Sequence, residues 1–151
     1  MGAVRSPFRS VNVQPFEERP DFLRLAQDVE GGREADLVAD GHAVGNHSWN
    51  HPEFWKLSKP AIRRQLVKTN KLLAKLGPRP TLVRPPFGEW DRDVAKVTRS
   101  LGMAAVIWDV DPEDWKVRKA KTITKRVLKQ VERGSIILTH DTLKATRKAI
   151  P

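Results

Sequence analysis

The sequence predicts an α/β fold, a parallel sheet whose strands are joined by crossover helices. Three observations predict it. Helical stripes alternate with short apolar runs, the connections between them are short, and chemically active residues recur just past the ends of strand candidates. Alternating elements with short connections favour parallel strands with helices packed against the sheet. At 151 residues the chain fits one domain large enough to bury a core.

Residues 1–32 carry the weakest pattern. Asp21-Phe22-Leu23-Arg24-Leu25-Ala26 is read as the start of a short helix that Gly31-Gly32 would end, with no strand in this region. Glu34 to Asp40 reads as a helical turn or two closed by Gly41, and His42-Ala43-Val44 as a short strand. The next helix is expected behind Ser58 as N-cap, with Pro60 in the first turn. Ile62, Leu66, Thr69, Leu73 and Leu76 form its inner stripe, and Gly77 would stop it. Thr81-Leu82-Val83 is a strand that Arg84-Pro85-Pro86 ends, because proline has no N–H for the ladder. Asp91 caps a helix with Val94, Val97 and Leu101 inward and Gly102 as terminator. Met103 to Trp108 has the continuous apolar character of a strand buried on both faces. After a polar loop from Asp109 to Lys116, Thr122 is the expected cap of a helix carrying Ile123, Val127 and Val131 and ended by Gly134. Ser135-Ile136-Ile137-Leu138-Thr139 is the last strand, and Leu143 to Ile150 a final, curtailed helix.

Composition narrows the function classes. There is no cysteine, so disulfides and thiolate metal sites are excluded, and no apolar run of membrane-spanning length. The first thirty residues hold Arg5, Arg9, Glu17, Glu18, Arg19 and Asp21 and no apolar stretch of signal-peptide type, and the compartment stays open. The net charge of +10 suits an anionic partner, yet the basic residues are scattered and no nucleic-acid motif accompanies them. They are read as solvated faces, with no nucleic acid expected as partner.

The stretch Gly45-Asn46-His47-Ser48-Trp49-Asn50-His51 follows a strand candidate. If it opened a helix, His47 and His51 would share one face with Cβ atoms about 6 Å apart, close enough for two imidazoles to reach one metal ion. Two histidines at a set spacing also arise by chance. The rest of the chain argues against chance, because Arg84, Asp109 to Asp114, and His140 also stand just past strands. In a parallel barrel the C-terminal strand ends converge on one face, where active sites are built. Bland readings hold for several neighbours. Ser48 is a local cap for the turn, Trp108 is core and His42 is structural, while Asp111 and Asp114 are either loop caps or part of a site. Trp49, Trp55 and Trp90 are either core or sugar platforms.

Gly-Asn-His-Ser-Trp-Asn-His (45–51), Arg-Pro-Pro-Phe-Gly (84–88), Asp-Pro-Glu-Asp-Trp (111–115) and Ile-Leu-Thr-His-Asp (137–141) occur in that order. Together they resemble motifs two to five of the polysaccharide deacetylases, the NodB-like domain of carbohydrate esterase family 4. The resemblance covers about residues 34–151, a partial domain behind an atypical segment 1–33. It implies a distorted (β/α) barrel, incomplete at its N-terminus, and metal-dependent removal of acetyl from an N-acetylated polysaccharide or oligosaccharide. By motif, His47 and His51 would bind a divalent ion, usually zinc. Arg84 would orient the catalytic carboxylate, and Phe87 would offer its backbone N–H to the oxyanion. Asp114 would hold His140, the general acid, and Trp115 and Pro86 would contact the sugar.

The family's first motif, which holds an Asp-Asp pair supplying the base and the third metal ligand, has no counterpart here. Asp21, Asp28, Asp36 and Asp40 are isolated. Three readings stay open: a truncated or frame-shifted deacetylase, a degenerate relative kept for sugar binding, or replacement of the pair by an acid such as Asp28. Low or no deacetylase activity is expected of the chain.

Overall fold

The computed structural model describes residues 24–26, 39, 41–75 and 80–150. Strands β1 (Arg24–Ala26), β2 (Val44–Asn46), β3 (Leu82–Val83) and β4 (Ala104–Ala105) form one four-stranded sheet in the order β1-β2-β3-β4. Every pairing is parallel, with Arg24 opposite Val44, Asn46 opposite Val83, and Val83 opposite Ala105. Parallel neighbours need a crossover. Helix α1 (Lys59–Leu73) lies between β2 and β3, and α2 (Arg92–Ser100) between β3 and β4. Beyond β4, Val110 and Ile137 make one isolated parallel bridge. Helices α3 (Ala120–Gln130) and α4 (Lys144–Ala149) pack against each other. The described strands form an open sheet and do not close a barrel.

The core explains why α1 and α2 form where they do. Ile62, Leu66, Val94, Val97 and Leu101 recur at helical spacing and bury, with Phe54, Val83 and Met103, into one cluster. Asp91 caps α2 through its carboxylate, which accepts from the N–H groups of Asp93 and Val94 at 2.8 and 2.7 Å. Ser58 is the N-cap of α1 but makes no side-chain capping bond, and the helix is described to Leu73. Leu76 and Gly77, and most of Glu34 to Asp40, lie outside the described residues; Ala39 is helical.

Several elements differ from the sequence expectation. Arg24–Ala26 is a strand, not a helix start, because its backbone pairs with β2, a long-range contact that local propensity does not encode. Strand β2 begins at Val44, two residues after His42. The segment around β4 is not buried on both faces: Ala104 and Ile107 are exposed, and only Met103 at its start enters the core. Lys119, not Thr122, is the N-cap of α3, and Thr122 lies inside the helix. Val131 ends α3 exposed. Ser135 to Thr139 is no strand: only Ile137 bridges, and Ile136 and Ile137 stand exposed.

Candidate active site

The site begins with Asn46, the last residue of β2, which is fully buried. Its side-chain amide donates to the Leu66 carbonyl and to Asn70 Oδ1 on α1, at 2.8 and 2.7 Å. Its Oδ1 accepts from the Ser48 N–H at 2.8 Å. One side chain thus ties the strand end to a helix and turns the chain as it leaves the sheet. The turn is closed by Ser48 Oγ, which accepts from the His51 N–H at 3.0 Å. Ser48 is the local cap expected of it.

The two histidines do meet, but not on a helix. Residues 47–53 are irregular, and Ser48 and His51 adopt left-handed backbone with φ of 70° and 54°. The turn brings the two rings edge to face, with centroids 4.9 Å apart. The Arg84 N–H donates to the Asn46 carbonyl at 2.9 Å, so the end of β3 lies alongside the end of β2. His47 Nδ1 then lies 2.6 Å from the Arg84 carbonyl. A carbonyl only accepts, so Nδ1 carries the proton and the neutral ring keeps its Nε2 lone pair. This is the orientation a metal-binding histidine needs, with its far nitrogen held by a backbone acceptor.

Burial pushes the His47 pKa down to about 4, with smaller downward contributions from Arg84, His51 and His140. Burial, then the charge of His140, also lowers His51. Both rings are therefore neutral at pH 7, the form that coordinates a metal. A stability consequence follows. A histidine whose folded pKa lies below its unfolded value near 6.5 binds more protons when unfolded. Its contribution is present above pH 6.5 and fades as pH falls towards about 4. The thermal midpoint of the metal-free chain is expected to drop across that window, and His47→Gln to flatten the drop. A pH series of thermal unfolding curves checks this.

Arg84 projects into the same region. Burial pushes its pKa down to about 10, its guanidinium carbon stands 5.9 Å from the Trp108 ring centroid, and its Nε has no hydrogen-bond partner among the described residues. A buried guanidinium nitrogen without an acceptor is costly, and a carboxylate is its natural partner. The turn that follows is Pro86–Gly88. Pro85 and Pro86 lack an N–H, so Phe87 supplies the first amide of the turn, with left-handed backbone at φ 58°. The Phe87 ring is exposed and packs edge-on against His51, centroids 4.6 Å apart. Pro86 is buried. Gly88 is required twice over: its φ is +71°, and a Cβ there would stand 2.7 Å from Trp108 Cη2. Trp108, expected in the core, is half-buried and forms the floor beneath Gly88 and beside Arg84. Its role was missed because an apolar run suggests burial and says nothing about which loop it supports.

The remaining pair comes from the loops after Val110 and Ile137. Asp114 is buried and accepts three hydrogen bonds at 2.7 Å, from His140 Nδ1, the His140 N–H and Thr146 Oγ1. Burial alone would raise its pKa, but these hydrogen bonds outweigh it and hold the carboxylate below its ordinary value. The carboxylate fixes the His140 proton on Nδ1 and leaves Nε2 directed away from it, on a side chain 40% exposed. Asp111 is a loop cap, accepting from the Glu113 N–H at 2.7 Å. Trp115 is exposed, with the Lys116 ammonium 4.4 Å from its ring centroid. Among the described residues no three His, Asp or Glu side chains cluster as a complete metal site. The two imidazoles suit a divalent ion of zinc type by donor chemistry and supply only part of the usual ligand set.

Fold and site together define a parallel α/β domain whose ionisable groups gather beyond the C-terminal ends of β2 and β3 and beyond the Val110–Ile137 bridge. The family model for polysaccharide deacetylase matches residues 33–106. A family 4 carbohydrate esterase from Streptomyces lividans, solved in complex with acetate, superimposes with a TM-score of 0.76 at 31% identity, covering 85% of this chain and 69% of that one. The chain belongs to the polysaccharide deacetylase family, carbohydrate esterase family 4. It is 40% identical over 114 residues to the peptidoglycan-N-acetylglucosamine deacetylase of Listeria monocytogenes, which spans 75% of this chain and 24% of the relative. The chain thus covers about a quarter of that protein's length. A family 4 pseudoenzyme from Bacillus anthracis is equally similar in structure, with a TM-score of 0.76 at 30% identity, covering 85% of this chain and 47% of that one.

Proposed function

We propose that the chain forms the metal-holding and proton-donating part of a polysaccharide deacetylase site of the barrel type, acting on the N-acetyl group of a glucosamine-containing polysaccharide. The observation that carries this reading is the His47–His51 pair beyond β2 and the Asp114–His140 pair beyond the Val110–Ile137 bridge, with Nδ1 of both His47 and His140 held by an acceptor. His47 and His51 would hold a divalent ion, which when bound polarises a carbonyl and acidifies water. The chain's own residues have separate tasks. His140, charged, gives a proton from Nε2 to the departing amine, while Asp114 keeps its ring oriented and its charge stabilised. The Phe87 amide would donate to an oxyanion. Arg84 waits for a carboxylate, and no Asp-Asp pair stands upstream of His47 to supply one.

A second reading, a carbohydrate-binding relative without turnover, is favoured by the unpartnered Arg84 Nε. Acetate release from N-acetylated chito-oligomers with added zinc distinguishes the two. The expected result is a slow release, far below that of a complete homologue active on these oligomers, which His140→Ala abolishes. Oligomer binding with no acetate release supports the second reading, and neither binding nor release overturns both.

A further inference from the structure

Two large aromatic side chains, Phe87 and Trp55, are exposed on segments close to the histidine pair. Phe87 is 58% exposed and touches His51; Trp55 is 62% exposed. Trp55 sits in the short 3-10 turn Phe54–Lys56, between Phe54, which is fully buried in the core, and Lys56. The buried phenylalanine anchors the turn, so the neighbouring indole is held outward at little entropic cost. Its backbone N–H points to Glu89 Oε2 at 3.5 Å. Glu89 follows the Phe87-Gly88 turn, and its charge is felt by His51. Trp55, Glu89, Phe87 and His51 therefore share one neighbourhood at the mouth of the site. The Lys56 ammonium lies 4.8 Å from the Trp55 ring centroid but is itself paired with Glu53 at the surface, and an indole has two faces.

The Trp55 indole is exposed on a turn whose backbone N–H meets Glu89, the residue whose charge reaches His51, so a ligand that fills the site and extends beyond it can meet the ring. Pyranoses of the glucosamine type carry their polar groups equatorially and present axial C–H groups, an apolar face that packs flat on an aromatic ring. We propose that Trp55 is the stacking platform for a second sugar of the same polysaccharide strand, which makes the chain select oligomers over single sugars. The proposal rests on the reading that the histidine pair faces an N-acetylated sugar. Trp115, beside the Asp114–His140 pair, is a separate aromatic wall.

Binding, measured by calorimetry without turnover, tests it on the whole chain with N-acetylglucosamine and its pentamer as probes. For Trp55→Ala the pentamer affinity is expected to fall about tenfold, equivalent to about 1.4 kcal/mol, with weak monomer binding and the thermal midpoint unchanged. Trp55→Phe should recover most of the loss, and Trp55→Leu should not, because only a flat ring stacks. Equal pentamer affinities in the native chain and Trp55→Ala overturn the proposal while leaving the deacetylase reading in place. Failure of the native chain to bind the pentamer at all overturns both.

Discussion

Replacement of Asp114 by alanine is expected to destabilise the chain by about 1–3 kcal/mol and to remove the proton-donating role proposed for His140. The stability term follows from what the carboxylate holds. It is buried and receives three short hydrogen bonds, two of them from His140 and one from Thr146, itself fully buried on α4. Removing an acceptor that serves buried donors costs about 1–3 kcal/mol, because those donors are left unsatisfied. Against a typical domain stability of about 5–15 kcal/mol, that is a large fraction. Helix α4 is only six residues long and leans on this contact and on α3. The isosteric Asp114→Asn separates chemistry from folding. It keeps the shape and one acceptor oxygen, and loses the charge that stabilises the imidazolium and fixes its tautomer. Thermal unfolding should therefore show a large drop for Asp114→Ala and a smaller one for Asp114→Asn, while both lose any acetate release that the native chain has. The carboxylate's pKa is held low, so its contribution is present above its unfolded value near pH 4 and fades as pH falls below that.

The second large effect concerns the histidine pair. Loss of a group that only supports a metal ligand costs about 10–100-fold in affinity, so loss of a ligand itself should cost at least as much. His47→Ala and His51→Ala are each expected to weaken zinc binding by about a hundredfold or more. Gln65→Ala is the control. Gln65 accepts from the backbone N–H groups of Trp49 and Asn50 at 3.1 and 3.2 Å and supports the same loop without supplying a nitrogen. Zinc titration followed by calorimetry separates these variants. Unchanged zinc affinity in His47→Ala would exclude that residue as a ligand.

How much of this was legible in the residues depends on how local the cause is. Helix α2 was, because Asp91, the Val94-Val97-Leu101 stripe and Gly102 are local signals of start, face and stop. The placement of His47, Arg84 and His140 beyond strand positions was also legible, since each follows a short apolar run. The strand at Arg24–Ala26 was not. Its three residues become a strand only by pairing with β2, a contact made across the sequence. The failure at Ser135 to Thr139 has the converse cause, a β-rich composition without a neighbour to extend the ladder beyond Ile137. Nor did spacing reveal how the histidines meet. A helical i,i+4 argument reached the right pair by the wrong geometry, because the left-handed residues Ser48 and His51 carry no turn signature of glycine or asparagine type. The tautomers of His47 and His140 came only from the structure, through the Arg84 carbonyl and the Asp114 carboxylate.

The most direct measurement is a nitrogen-detected NMR spectrum of the imidazole rings, recorded at pH 7 before and after addition of one equivalent of zinc. The chain has four histidines, so the signals are separable. Before zinc, His47 should appear as the neutral Nδ1–H tautomer, and His140 should carry a proton on the Nδ1 that faces Asp114. After zinc, the unprotonated ring nitrogen of His47 and a ring nitrogen of His51 should shift together, while His140 keeps its Nδ1 proton and its bond to Asp114. Zinc-induced shifts at His42 or His140 with His47 and His51 unmoved would contradict the assignment of the metal to this pair, and with it the deacetylase-type site proposed for the chain.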